Sequence, residues 1–192
     1  MRAVIPYAFL NSATLFAVAE IGDKTQLLSF VLSARIGRPW PIIAGILAAT
    51  VANHALAGSV GVWLASLIAP ATLGIIVGVA FVVFGLWTLR PDSLEFDESH
   101  LRAGAFVATL IAFFFVEMGD KTQLATIALA ARYPDGLISV VAGTTLGMLI
   151  ANAPAVVVGE VLSERLSFRY IRWMAATLFI AMGIATLVSV LT

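Results

Sequence analysis

Long apolar runs separated by short polar punctuation set the expected architecture of this chain. Crossing the hydrocarbon core of a bilayer takes about 20 helical residues. Six runs approach or exceed that length, at about Tyr7–Ala34, Pro41–Ile68, Leu73–Leu89, Ala103–Ala131, Leu137–Leu162 and Trp173–Leu191. Turn-forming residues divide them: Arg35-Ile36-Gly37-Arg38-Pro39, Ala69-Pro70-Ala71-Thr72, and Arg132-Tyr133-Pro134-Asp135-Gly136. Ser163 to Arg172 reads as a basic loop. Arg90 to Arg102 is the one hydrophilic loop of any length, and its Asp92, Glu95, Asp97 and Glu98 read as a solvated linker rather than a binding site. The pattern predicts an all-α integral membrane fold of six transmembrane helices, forming a single membrane domain over 1–192.

The runs fall into two similar halves. Glu20-Ile21-Gly22-Asp23-Lys24-Thr25-Gln26-Leu27 in the first run returns as Glu117-Met118-Gly119-Asp120-Lys121-Thr122-Gln123-Leu124 in the fourth, 97 positions later. Ala52-Asn53 and Ala151-Asn152 occupy matching places in the second and fifth runs. Each half has three crossings, an odd number, so the two must insert in opposite orientations, as in many secondary transporters. The expected layout is repeat 1 over about 7–89, a cytoplasmic loop over about 90–102, and repeat 2 over about 103–191. Ala17-Val18-Ala19 resembles a signal-peptide cleavage site. The recurrence of the adjoining acidic stretch inside an internal apolar run argues instead for a retained first helix. Arg35, Arg38, Arg90, Arg102, Arg165, Arg169 and Arg172 fall on one side, against Arg2 and Arg132 on the other. Positive residues gather on the cytoplasmic side, so both termini are expected outside the cytoplasm.

Composition agrees with a membrane protein. The chain is 61% hydrophobic and 11% charged, with mean hydropathy +1.03, against about a quarter charged in soluble domains. Zero formal net charge gives no reason to expect nucleic acid. The absence of cysteine excludes disulfides and thiolate metal sites. Nothing in the sequence sets an oligomeric state.

The duplicated stretches carry the candidate chemistry. A charged residue at a membrane helix centre costs about 2.5–3.5 kcal/mol. Six of them (Glu20, Asp23, Lys24, Glu117, Asp120, Lys121) would together cost on the order of 15–20 kcal/mol if lipid-facing and unpaired. They are therefore expected to face inward and meet one another. On a continuous helix Glu20 and Asp23 share a face, Gln26 lies beside Asp23, and Lys24 can pair with Glu20 one turn back. The second stretch repeats this with Glu117, Asp120, Gln123 and Lys121. Gly22 and Gly119 permit close backbone approach or a local break that frees carbonyls as ligands.

Brought together about a pseudo-two-fold axis, Glu20, Asp23, Gln26, Glu117, Asp120 and Gln123 form a cage of hard oxygen donors. That set suits calcium, manganese or magnesium and disfavours copper or zinc. Crowded carboxylates in a low-dielectric pocket cannot all stay ionised, and a divalent cation would displace the protons they hold. One site with mutually exclusive occupants, opened alternately to each side, is an antiporter. Lys24, Thr25, Lys121, Thr122, Asn53 and Asn152 are candidates for a supporting layer. The blander alternatives are intrahelical salt bridges, threonines bonded to their own helices, and asparagines gluing helices together. Glu160 reads as a helix-end residue paired with Arg165. His54 has no counterpart in the fifth run and reads as a packed or polar-cavity residue rather than a ligand.

The twice-repeated E-φ-G-D-K-(S/T) motif, one copy per half, resembles the calcium/manganese:proton antiporter family that includes the Golgi manganese transporter and bacterial manganese exporters. The resemblance covers the whole chain. It implies that Glu20, Asp23, Glu117 and Asp120 are the cation ligands. It also implies that manganese or calcium leaves the cytosol in exchange for protons, with no permanently bound cofactor. The short central loop looks like a bacterial inner-membrane member. Three rival readings are a divalent cation channel with acidic rings, an intramembrane aspartyl protease using Asp23 and Asp120, and a purely structural bundle. Each protease requirement is poorly met, since both motifs also carry Glu and Lys and no Tyr-Asp partner motif precedes either.

Overall fold

The computed structural model describes residues 4–90, 104–158 and 168–191. Among these, every regular element is helical: α1 (Val4–Ala19), α2 (Lys24–Ile36), α3 (Pro39–Leu67), α4 (Pro70–Thr88), α5 (Ala105–Glu117), α6 (Lys121–Arg132), α7 (Leu137–Val158) and α8 (Phe168–Leu191). A single 3-10 turn, Pro134–Gly136, leads into α7. The expectations for residues 91–102 and for Glu160 with Arg165 fall outside the described residues.

Local chemistry explains most boundaries. Pro39 and Pro70 each stand in the first turn of their helices, where a missing N–H costs nothing. Gly37 closes α2 in the left-handed conformation (φ 65°), its N–H bonded to Ser33 O at 3.0 Å. The turns expected at 35–39, 69–72 and 132–136 are shorter than expected, at 37–38, 68–69 and 133–136, because α3 already starts at Pro39 and α4 at Pro70. The expectation of one continuous helix over Tyr7–Ala34, and another over Ala103–Ala131, is corrected. Each is broken inside the duplicated motif, giving α1 with α2 and α5 with α6. The axes of α1 and α2 differ by 66°.

Among the described residues, four helices are long and apolar enough to cross a membrane alone: 39–67, 70–88, 134–158 and 173–191. The α1–α2 pair meets the same test as one bent span, and α5 is apolar but shorter. Large apolar side chains point outward along these helices, among them Leu56, Ile76, Val83, Phe115 and Ile150. Trp40, Trp63 and Trp173 are exposed near helix ends, where amphipathic rings favour the membrane interface.

Helices pair mainly across the two halves of the sequence. α1 lies along α7, α5 and α6 against α3, α2 against α7, and α4 along α8. Lipid is as apolar as leucine, so close packing has to come from small residues that let backbones approach. A Cβ on Gly143 of α7 would stand 2.5 Å from Phe9 O of α1, and one on Gly147 would stand 2.6 Å from Ala13 O. Gly45 of α3 meets α5 in the same way, 2.8 Å from Phe106 O. Gly183 of α8 meets α4, 2.7 Å from Gly78 O. At one end of the bundle the α3–α4 turn, the α6–α7 turn and the end of α8 line one cavity through Ala65, Pro70, Arg132, Pro134 and Val190. Ala8 near the start of α1 abuts Gly136 at the same end.

Because a backbone carbonyl cannot yield as a side chain can, Gly147→Val should wedge α1 from α7. Overpacking of this kind costs about 1–3 kcal/mol. Thermal unfolding of the detergent-purified protein is expected to shift down for Gly147→Val and to stay near wild type for Leu146→Val, on the outward face of the same helix.

Candidate functional site

The two helix breaks are near-copies. Gly22 and Gly119 sit at φ 80° and 78°, a backbone region that side chains rarely adopt. This is the physical reason the motif cannot remain one helix. Asp23 and Asp120 follow in extended conformation as the N-cap residues of α2 and α6. Each loop is tied by the glutamine four residues on. Gly22 N–H donates to Gln26 Oε1 at 2.8 Å, and Gly119 N–H to Gln123 Oε1 at 2.7 Å. The carboxamide nitrogens then reach across the bundle. Gln26 Nε2 donates to Ala151 O on α7 at 2.9 Å, and Gln123 Nε2 donates to Asn53 Oδ1 on α3. The two glutamine oxygens expected as cation ligands therefore brace the breaks, each keeping a second lone pair.

Glu20, Asp23, Glu117, Asp120 and Lys121 are all buried. Their pairing differs from the intrahelical scheme read from the sequence. Breaking the helix between Glu20 and Lys24, and between Glu117 and Lys121, takes each pair off the common face that a continuous helix would give it. The ion pairs cross between the halves instead. Lys24 Nζ lies 3.2 Å from Asp120 Oδ1, and Lys121 Nζ pairs with Asp23 Oδ1. Neither aspartate side chain caps its own helix; each turns to the lysine of the other half. The crossed pairs are unequal, since the Lys24 side chain is 21% exposed and that of Lys121 only 3%.

The two glutamates are held differently. Glu20 Oε2 accepts from Thr25 Oγ1 at 2.5 Å, which gives Thr25 a direct hold on a motif acid. Thr122 reaches Asp120 Oδ2 only at 3.5 Å. Glu117 Oε1 lies 2.6 Å from His54 Nε2, both side chains fully buried. The far oxygens, Glu20 Oε1 and Glu117 Oε2, are buried without a hydrogen-bond partner. Glu20 lies within electrostatic range of Glu117, Asp120 and Lys121. Among the described residues no three His, Asp or Glu side chains stand close enough to hold a metal ion together. The motif acids are instead parked against lysine, threonine or histidine.

The asparagines act as fasteners. Asn53 Nδ2 donates to Phe114 O on α5 at 3.2 Å, and Asn152 Oδ1 accepts from Ser29 Oγ on α2 at 2.8 Å. His54 lies against a motif acid although it stands outside both motif copies. Its ring lies edge-on to Phe16, 5.2 Å between centroids. The available signal was its position beside Asn53, where the other half has Ala153 beside Asn152.

Comparison with known proteins adds the following. The family model described as "Divalent cation/proton antiporter GDT1" matches residues 8–96 and again 105–192, one match per half. A Vibrio cholerae protein called "Putative manganese exporter" is 49% identical over 175 residues, 91% of this chain and 88% of its own length. A GDT1-like protein of Synechocystis is 30% identical over 197 residues, covering 90% of this chain and 92% of its own. An Arabidopsis thaliana protein, GDT1-like protein 5, is 28% identical over 221 residues, with coverage of 94% and 95%. No solved structure matches the chain significantly.

Removing one member of a buried ion pair typically costs about 3–5 kcal/mol, because its partner is left charged and unpaired. Lys121→Met should therefore destabilise the protein by that order in denaturant titrations. Adding Asp23→Asn should recover most of the loss, whereas adding Glu117→Gln should not. Recovery by Glu117→Gln instead would restore the intrahelical pairing that the broken helix excludes.

Proposed function

The chain belongs to the GDT1 family of divalent cation/proton antiporters, a multi-pass membrane transporter and not an enzyme, and on that premise we propose that it exports manganese from the cytosol in exchange for protons. Calcium is the alternative cargo, since both ions accept an oxygen-rich site. The ligands are the carboxylates of Glu20, Asp23, Glu117 and Asp120. Gln26 and Gln123 supply further oxygens through their free lone pairs. Lys24, Lys121, Thr25, Thr122, Asn53 and Asn152 hold the acids and the helix breaks in register.

The observation that carries this reading is the crossed pair of salt bridges. Asp23 and Asp120 are neutralised by lysines of the opposite half. A cation that takes these carboxylates must displace both ammonium groups, and doing so loosens the tie between the halves. Occupancy and the relative position of the halves are thereby coupled, which alternating access requires. Protons serve as the second occupant, because carboxylates that coordinate a metal must be deprotonated.

The architecture we propose is two three-crossing repeats in opposite orientation, with α1–α2 and α5–α6 each serving as one broken crossing. In support, the start of α1, the α3–α4 turn, the α6–α7 turn and the end of α8 share one end of the bundle. The matching of the family model once to each half supports duplication. Seven arginines against two favour the end carrying the α2–α3 turn as cytoplasmic. Both termini then lie outside the cytoplasm, in a bacterial inner membrane.

Purified protein in sealed vesicles tests this directly, with manganese and calcium supplied separately and a trapped dye reporting internal pH. Cation uptake is expected to run with proton movement in the opposite direction, and Glu20→Gln with Glu117→Gln should reduce both to background. Cation flux that does not saturate and ignores a pH gradient would replace the antiporter with a channel.

A further inference from the structure

His54 is the point at which the duplicated site stops being symmetric. The two halves supply the acids, lysines, threonines, glutamines and asparagines in matched copies, but one imidazole stands against alanine at the equivalent place, Ala153. His54 is fully buried in α3, and its Nε2 is 2.6 Å from Glu117 Oε1. Where Glu20 is held by a hydroxyl oxygen, Glu117 is held by a nitrogen. The other ring nitrogen, Nδ1, is buried without a hydrogen-bond partner. The ring reaches from α3 to Glu117 of α5 through one nitrogen only, and its other nitrogen ties it to no further helix. It is aimed at one carboxylate whose second oxygen is itself buried and unpartnered. Orphaned buried polar groups are costly and are retained mainly where they serve a site.

We propose that His54 is a cation ligand of this site, the one nitrogen donor in an otherwise all-oxygen set, and that it sets the preference for manganese over calcium. This rests on the antiport reading above and names the residue that discriminates between its two cargoes. Calcium takes oxygen ligands almost exclusively, in flexible shells of six to eight. Imidazole is a donor for first-row transition ions rather than for calcium, and manganese, the weakest binder of that row, is the one that also suits carboxylates. Glu117 and His54 already stand together, so they form the nucleus on which Asp120, Glu20 and the glutamine oxygens close when lysine is displaced. A lone imidazole among hard oxygens leaves manganese acceptable while withholding the second nitrogen that tight zinc or copper binding would exploit.

The experiment uses the full chain in detergent, loaded with manganese, and reads nitrogen coordination by pulsed electron paramagnetic resonance. The wild type is expected to show nitrogen bound to the ion. His54→Gln should lose that signal, and His100→Gln, the other histidine, should keep it. Equilibrium competition should show manganese affinity falling about tenfold in His54→Gln, within the range seen when metal-site partners are lost. Calcium affinity should change far less, which also shows that the variant is folded; His54→Asn serves as a second substitution if His54→Gln elutes abnormally. Equal loss of both ions would make His54 a brace for Glu117 and overturn the proposal. So would a nitrogen signal that survives His54→Gln. A wild type that exchanges manganese for protons yet shows no bound nitrogen overturns the role of His54 and leaves the antiport reading standing.

Discussion

Two salt bridges that cross between the halves of the sequence hold this structure's central problem in check. Buried carboxylates are tolerable only when opposite charge and hydrogen bonds replace the water they lose. Here the opposite charge comes from the other half: Lys24 serves Asp120 and Lys121 serves Asp23. Each half thus depends on the other for the ammonium group that meets its motif aspartate. The helix breaks place Asp23 and Asp120 at helix N-caps, where the positive end of the helix dipole further favours a negative group. Charge neutrality and assembly of the two halves are thus one requirement.

The packing follows the same division of labour. α1 rests on α7, and α5 on α3, through glycines that admit backbone against backbone. Such contacts are rigid at the helix flanks, while the breaks between them are fastened by a small set of hydrogen bonds from Gln26, Gln123, Asn53 and Asn152. Stiff helices joined at polar, bonded breaks can exchange one bond pattern for another without repacking the apolar flanks. That is the mechanical property a moving transporter core needs, and the distribution of glycine and amide side chains provides it.

Much of this was legible in the sequence, and the parts that were not have physical causes. The apolar runs, the duplicated motif and the turn residues located the helices to within a few positions. The buried acids followed from the cost of charge in hydrocarbon. The break was foreshadowed by Gly22 and Gly119, but whether a glycine in an apolar run bends the chain depends on what catches the loosened backbone. Here that is Gln26 and Gln123, whose side chains turn back on their own loops. The ion pairs were misread because spacing along a helix speaks only of that helix. Partners separated by about half the chain leave no local periodicity. His54 has no symmetric mate, so the internal repeat does not mark it, and its approach to Glu117 is visible only in three dimensions.

The inequality of the two salt bridges gives the proposed cycle a direction of approach. Lys24 is partly open to the surroundings, and the loop it faces, with Met118 and Gly119, is exposed. Lys121 and Asp23 are sealed. The Lys24–Asp120 pair is therefore the less enclosed of the two bridges. In the proposed cycle an arriving cation displaces that ammonium first, on a carboxylate three residues after Glu117. Only after that exchange would the sealed Lys121–Asp23 pair be left as the sole charge tie between the halves. In the inverted arrangement proposed above, reversing which lysine is exposed would place the opening on the opposite side.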